Sequence, residues 1–435
     1  DLTGIDFVTI DPAESRDLDQ AVCIETNGAG FRVWYAIADT GAWVRPGGAM
    51  DSEARRRGQT TYAPNVRLPL YPRPLSEGAA SLLADGQERP ANVWRVDLDA
   101  DGAVENAEVI RARVRSRAKL SYEQVQRDLD AERADESLRL LRSVGRLRIA
   151  QEAARGGASL NLPEQSVTTT GDKWALVYRQ LLPVEGWNAQ ISLLAGMVAA
   201  EMMLNAGVGV LRTMPAAPQA ASDDLRHTAL ELRLPWPDGM NYGDFVRSLD
   251  PTTPVGLAMM NACTALFRGA GYTVIAPDMP PEEYAHGAVA APYAHVTAPL
   301  RRLVDRFTGA ICAALSAGEP VPEWVRAALP ELPQIMAETD HREKSFERGI
   351  ISLTEALTLS ARRGEVLEGT VIMVNAHDDD RGAVAVPDLA IEAPVAGDDL
   401  KLGEQVKVRV ADVDVDMGRV LFSITPRSLP DGQRP

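Results

Sequence analysis

Cysteine is scarce in this chain: Cys23, Cys263 and Cys312 are the only three. They lie far apart in apolar surroundings with no CxxC spacing, which excludes a disulfide framework or a zinc ribbon and predicts core packing in a reducing cytoplasm. No signal-peptide pattern is visible. The most apolar stretch, Ala189 to Leu211, is interrupted by Gln190, Glu201, Asn205 and three glycines, so a buried helix is expected there and no membrane span. There is no GxxxxGK[ST] loop, no GxGxxG after a strand and no HExxH, so no nucleotide cofactor is expected. Lysine is also rare, and the positive charge is nearly all arginine. A net charge of -16 and a pI near 4.9 argue against a basic exterior that would bind phosphates broadly. A basic channel remains open to such a chain, since arginine binds phosphate in bidentate fashion. With 435 residues, 45% hydrophobic and 24% charged, the composition is that of a soluble globular protein of two or three domains.

What the sequence does have is a dense acidic stretch near its start, "DFVTIDPAESRDLDQAV", Asp6 to Val22. Phe7 to Ile10 read as a buried strand, Pro12 stops it, and Ser15 to Asp19 form a polar loop that can fold back toward Asp11. Crowded carboxylates repel and take up protons unless a hard divalent cation such as Mg²⁺ or Mn²⁺ compensates them. A solvated acidic turn or a structural Ca²⁺ loop has the same spacing, so the residues alone leave three readings open.

Further along, Phe31 to Ile37 reads as a second strand beside the first, ending at Asp39, which either joins the acidic site or caps the next segment. Arg55, Arg56 and Arg57 fall on an expected helix, followed by Tyr62 in a Pro- and Gly-punctuated loop. Val93 to Val114 reads as a hairpin turning at "DADG". Arg111, Arg113, Arg115 and Arg117 recur at every second position, so one extended strand would put them on one face, either as a ridge for a phosphate backbone or as an ordinary solvated face. Ser137 to Arg155 has the pattern of an amphipathic, solvent-facing helix. Val255 to Arg268 and Phe307 to Ala317 are of helical length, and their Met and Phe stripes are expected in the core. Near Arg363-Gly364 the texture changes to short alternating strands with Gly- and Asp-rich turns, over the length of a small five-stranded barrel. Its runs of Asp (Asp378, Asp379, Asp380, Asp412, Asp414, Asp416) suit turns better than metal sites.

The string "TIDPAESRDLDQA" resembles the aspartate-rich first motif of the RNB family, the ribonuclease II and R-type 3′-to-5′ exoribonucleases. "HGAVAAPYAHVTAPLRRLVDR", His286 to Arg306, resembles that family's second signature. Weaker echoes, among them "YAIADTGAWV", "SRAKLSYEQV" and "FERGIISLTEAL", extend the likeness over roughly residues 3 to 360. The resemblance implies an α+β fold: an RNB-type catalytic domain over 1–362, with a mixed sheet and surrounding helices enclosing an RNA channel. An OB-fold RNA-binding barrel over 363–428 and a tail over 429–435 would follow. The implied activity is metal-dependent, processive 3′-to-5′ hydrolysis of single-stranded RNA to 5′-nucleoside monophosphates. Mg²⁺ would be the ion, with Mn²⁺ able to substitute, in a cytoplasmic monomer. Because the first residue is Asp and not Met, a preceding N-terminal module is expected.

By the same resemblance, Asp11, Asp17, Asp19 and Gln20 would hold the metal, and Asp19 and Arg301 would be catalytic. RNA would be contacted by Tyr62, Lys119, Tyr122, His295, Arg301, Arg302 and Glu347, with Asp305 in support. Read as residues alone, His295 fits a hydrogen-bonded core histidine equally well, Tyr62 could pack on its loop's own prolines, and a lone Glu347 could be simply solvated. The chain departs from the family at Gln20, where a fourth aspartate is usual; at Ser192 and Leu193, where many members carry an acidic pair; at Val208, often an aromatic; and at Ala298. Gln20 is the feature that separates an active hydrolase from a non-catalytic RNA-binding relative. The retention of three aspartates and Arg301 favours the enzyme, with a looser second metal.

Overall fold

The β-branched run behind the acidic loop does form a strand, and a sheet is assembled around it. The computed structural model describes residues 1–159, 162–170, 173–277, 279–375 and 377–425. It divides into two compact units, one comprising Asp1–Ala158, Leu181–Ala216 and Phe267–Glu343, the other Ser159–Gln180, Ala217–Leu266 and the chain from Lys344 onward. The domains expected from the sequence run consecutively along the chain; these units interleave.

The first unit is built on β1 (Phe7–Asp11), β2 (Gln20–Asn27), β3 (Gly30–Ala38), β4 (Thr61–Ala63), β5 (Val66–Leu68), β6 (Arg89–Leu98), β7 (Val104–Val114) and β8 (Ser116–Ser121). Six of these form one sheet in the order β7-β6-β3-β2-β1-β8, while β4 and β5 make a separate hairpin. All sheet neighbours are antiparallel except β1 and β8, which run parallel with Asp11 opposite Ser121. The sheet is therefore mixed. Contrary to expectation, the strand at Phe31 does not lie beside the first strand. β2 lies between them, with Gln20 opposite Ile37.

Helices α2 (Tyr122–Asp130), α3 (Glu136–Arg155) and α4 (Pro183–Ala206) cover this sheet together with the helix Leu303–Ser316, whose Arg306 holds α1 (Ala49–Arg57) through Asp51 at 2.5 Å. Contrary to its reading as solvent-facing, α3 buries Leu138, Leu141, Val144 and Arg148. The apolar α4 is long enough to cross a membrane by composition, but half of its most apolar window is buried in the fold. Two glycines set close approaches. A Cβ at Gly196 in α4 would lie 2.1 Å from the Tyr293 ring, and Gly58, which ends α1 at a φ of +74°, would press on Thr339. Both contacts fix the course of the chain on either side of Arg301.

In the second unit, strands Val366–Asn375, Asp378–Val386, Ile391–Ala396, Gln405–Asp414 and Arg419–Ile424 close into a five-stranded barrel. Val371, Val384, Val395, Val408, Val410 and Phe422 fill its interior. This is the OB-like barrel the alternating pattern led us to expect. The end of that expected domain and the tail 429–435 lie outside the described residues. Helices Gln219–Glu231, Tyr242–Ser248 and Pro254–Cys263 and the hairpin Glu164–Arg179 belong to this unit.

Candidate active site

Two loops meet at one end of the sheet. The first links β1 to β2 and carries Asp17 and Asp19 between Asp11 and Gln20. It is anchored by the fully buried Leu18, whose N–H donates to Ser81 Oγ at 2.9 Å and whose carbonyl accepts from Leu82 N–H at 3.0 Å. Lys119 on β8 donates to the Ala13 carbonyl at 2.7 Å, closing the far side of the loop. The second loop is Thr297–Arg302, leading into the helix Leu303–Ser316. Asp305 Oδ1 accepts from Ala298 N–H at 2.7 Å, and the Arg302 guanidinium grips Asp305 through two hydrogen bonds of 2.9 Å. On the other side, Thr60 N–H donates to the Arg301 carbonyl and Leu303 N–H to the Gly58 carbonyl, both at 2.9 Å.

The loops join at Asp19. Its Oδ1 accepts from Leu300 N–H at 2.7 Å and its Oδ2 lies 3.4 Å from Arg301 Nε. The Asp19 side chain is 5% exposed and that of Arg301 is 48% exposed, so a buried carboxylate holds an arginine whose remaining donors face solvent. Burial pushes the Asp19 carboxyl up to about 8, against the opposing pull of Arg301 and of the Leu300 N–H. Asp11 is pushed up to about 6, chiefly by burial, with Asp17 raising it and Arg301 and Lys119 pulling it down. Asp17 is held from two directions: Arg67 of β5 pairs with its Oδ1 and the Tyr62 hydroxyl of β4 donates to its Oδ2 at 3.1 Å. Arg67 also reaches Glu77 at 2.9 Å.

The donor set suits a hard divalent cation in its chemistry. Asp11 is a carboxylate to which no protein donor is directed among the described residues, and its neighbours Asp17 and Asp19 add to a concentration of negative charge that burial makes unfavourable. As the side chains stand, no three acidic, His or Cys groups among the described residues converge closely enough to cage an ion, because Asp17 and Asp19 are each turned to a guanidinium.

The other expected residues are placed as follows. Tyr122 opens α2, and its hydroxyl accepts from Asn188 of α4 at 3.4 Å. Tyr122, like Lys119, is close enough to Asp11 to interact electrostatically. Tyr62 is 49% exposed. His295 Nδ1 lies 2.8 Å from the Tyr272 hydroxyl with Tyr293 edge-on, and burial holds its imidazole well below the usual range, hence neutral. Arg302 is committed to Asp305. Glu347 is exposed on the helix Leu332–Ser360, in the second unit. Asp39 stands at the N-cap of the turn Thr40–Ala42, its carbonyl accepting from Ala42 N–H at 3.2 Å, but its side chain makes no cap bond and does not join the acidic loop, since its Oδ2 accepts from Arg111 Nε at 2.6 Å. The alternation of the four arginines holds, as the solvated face of the two alternatives: Arg111, Arg113 and Arg117 are exposed and Arg115 half-buried, while Val114 and Ser116 between them are buried. The chain passes from β7, which pairs with β6, to β8, which pairs with β1, through Arg115 alone, so Arg111 and Arg113 lie on β7 and Arg117 on β8. Arg113 and Arg115 pair with Glu88, and Arg117 with Asp6. Reading the residues in order missed Arg67, which reaches Asp17 from β5, and Tyr35, which reaches Gln20 from the neighbouring strand β3.

Known proteins resemble this chain in both of its parts. Residues 1–315 match the RNB domain, and residues 365–425 match the RNase II-type exonuclease C-terminal S1 domain. The chain is 25% identical over 426 residues to an uncharacterized ribonuclease of Synechocystis, 97% of this chain and 59% of that one. It is 41% identical over 127 residues to Exoribonuclease 2 of Cronobacter sakazakii, 29% of this chain and 20% of the relative. It thus spans about three fifths, or less, of these relatives' lengths. Among solved structures, Mycoplasma genitalium RNase R in complex with ribose-methylated single-stranded RNA superposes with a TM-score of 0.86 at 19% identity, covering 98% of this chain and 71% of that one. Yeast Ssd1, described as a pseudonuclease, superposes with a TM-score of 0.75 at 17% identity, covering 94% and 51%. At such identities the likeness shows a shared fold. With the RNB domain matched over residues 1–315 and the two motif-bearing loops meeting at one site, this chain belongs to the RNB exoribonuclease family.

Proposed function

We propose that this chain hydrolyses single-stranded RNA from its 3′ end, processively and with a divalent cation, releasing 5′-nucleoside monophosphates. The observation that carries the reading is Asp19: a buried carboxyl raised to about 8, placed between a loop N–H and a half-exposed arginine. A group so unfavourable to bury is characteristic of a functional site. Asp11, Asp17 and Asp19 would hold Mg²⁺, or Mn²⁺ in its place, and the ion would supply activation of water and stabilisation of the leaving oxygen. The protein's own part is positioning. Arg301 directs its free donors outward, where they can meet the scissile phosphate and the charge that grows on it. Tyr62, exposed beside Asp17, offers a face for the terminal base, worth about 1–3 kcal/mol in stacked single strands. Lys119 and Tyr122 both lie close enough to Asp11 to interact with it, where a ribose-phosphate would pass.

A non-catalytic RNA-binding role is the second reading, favoured only by the neutral Gln20. A chain that had lost its chemistry would not need to keep Asp19 buried against Arg301, so hydrolysis is the better account. The test is single-stranded RNA labelled at its 5′ end, incubated with Mg²⁺ and separately with excess chelator. A ladder shortening from the 3′ end with Mg²⁺ alone is expected. Binding without shortening in both tubes would establish the second reading.

A further inference from the structure

Gln20 stands where the family resemblance expects a fourth acidic ligand, yet its side chain is already engaged at both ends. Its amide nitrogen donates to the Thr297 carbonyl at 2.7 Å, and its amide oxygen accepts from the Tyr35 hydroxyl at 2.8 Å. The Tyr35 hydroxyl in turn lies 2.8 Å from Ser192 Oγ. Donor and acceptor capacity fixes the direction of this chain. A main-chain carbonyl only accepts, so the nitrogen of Gln20 must face Thr297. The amide oxygen only accepts, so the single phenol proton goes to it, and the Ser192 hydroxyl donates to the phenol oxygen. Tyr35 is 1% exposed, and burial keeps its proton in place. Three hydrogen bonds thus run from α4 through β3 and β2 to the loop that carries Arg301.

We infer that Gln20 is a positioning residue for the Arg301 loop and not a ligand of the cation, an inference that rests on the proposed hydrolysis. Gln20 and Asp19 are consecutive, and each holds one point of the same loop: Gln20 at the Thr297 carbonyl, Asp19 at the Leu300 N–H. Arg301 therefore takes its position from the residue next to the buried carboxylate. A carboxylate at position 20 cannot do this. It has no donor for Thr297, it sets two acceptors face to face, and as aspartate it is one methylene short. The neutral Gln20 and the neutral Ser192, which look like two separate losses of charge, are the two ends of one hydrogen-bonded strut through Tyr35. The cation seat is then the three carboxylates Asp11, Asp17 and Asp19.

The test uses the full chain with Gln20→Glu, which keeps length and removes the donor, and with Tyr35→Phe, which deletes one oxygen and covers the case in which the glutamate variant does not fold. Three quantities are read: Mn²⁺ binding from the free-ion paramagnetic resonance signal, amide hydrogen exchange across 297–302, and RNA turnover. For Gln20→Glu the strut requires Mn²⁺ affinity within about twofold of the parent, loop exchange about tenfold faster, and kcat about tenfold lower with little change in KM. Tyr35→Phe should speed exchange of the same amides to a lesser degree. Mn²⁺ binding tightened about tenfold or more in Gln20→Glu, or loop exchange unchanged in Tyr35→Phe, would overturn the inference. If the parent cleaves no RNA, the proposed function fails while the exchange and Mn²⁺ measurements still decide the role of Gln20.

Discussion

The chain uses aspartate in two ways, and the contrast between its two units separates them. In the sheet unit the side chains of Asp17, Asp19, Asp51 and Asp305 are between 0% and 8% exposed, and each is matched to an arginine: Arg67, Arg301, Arg306 and Arg302 respectively. In the barrel, Asp378, Asp412 and Asp414 are 39% to 71% exposed; they too lie 3.3 to 3.9 Å from arginines, Arg381, Arg363 and Arg419, but these guanidiniums are 60% to 75% exposed, and the carboxylates also accept from main-chain N–H groups of their own turns, such as Met417 N–H at 2.9 Å from Asp414. The residue type and the local density of charge are similar; burial is the difference. A buried carboxylate has to be compensated, so it depends on its guanidinium, whereas an exposed one is already satisfied by water and a turn and gains little from the arginine beside it. Acidity alone therefore marks no site, and acidity removed from water does.

Four substitutions probe this contrast, in decreasing order of effect. Arg301→Ala should lower kcat by about 10³-fold with RNA affinity little changed, because its free donors act on charge that develops in the transition state. Equal losses in both constants, from single-turnover and binding titrations, would reduce Arg301 to a phosphate anchor. Arg302→Ala should destabilise the fold by about 3–5 kcal/mol in urea, since it leaves Asp305 charged, fully buried and without its partner.

Glu355, the barrel unit's own buried acid, tests whether burial or location matters. It accepts from Glu392 N–H at 3.0 Å and from Gln165 at 3.3 Å, and burial raises its carboxyl from 4.5 to about 7. The folded state therefore keeps a proton that the unfolded state has released, so stability falls as pH rises from 4.5 to 7 and stays low above that. Glu355→Gln should flatten this slope and be more stable than the parent at pH 8 by up to about 3 kcal/mol. An unchanged pH profile in thermal melts would show that Glu355 ionises freely. Asp412→Asn, exposed in the barrel, should stay within about 0.5 kcal/mol of the parent, and a larger loss would erase the distinction between buried and exposed aspartates.

Much of the site was legible because it is local in sequence. Asp11, Asp17 and Asp19 fall within nine residues, and a strand followed by a proline-stopped loop is enough to place them at one end of the sheet. The barrel was legible from its period-two pattern. What could not be read depends on contacts between distant segments. Nothing near Arg67 announces Asp17 fifty residues earlier, and nothing near Gln20 announces Thr297. The arginine alternation was legible as a period of two, but its partners Asp39, Glu88 and Asp6 were not, because they lie on other segments. The parallel pairing of β1 with β8 likewise has no local signal, though it places Lys119 beside the acidic loop.

The most direct test compares Asp19→Asn with the parent on 5′-labelled RNA, alongside thermal melts of both at pH 7. A catalytic Asp19 is retained at the expense of stability, since its carboxyl is buried and raised to about 8. The variant should therefore lose about 10³-fold or more in hydrolysis, still bind RNA, and melt at the same temperature as the parent or higher. A variant that melts lower yet shortens RNA at the parent's rate would show that Asp19 and Arg301 are a structural ion pair, and would contradict a catalytic role for either residue.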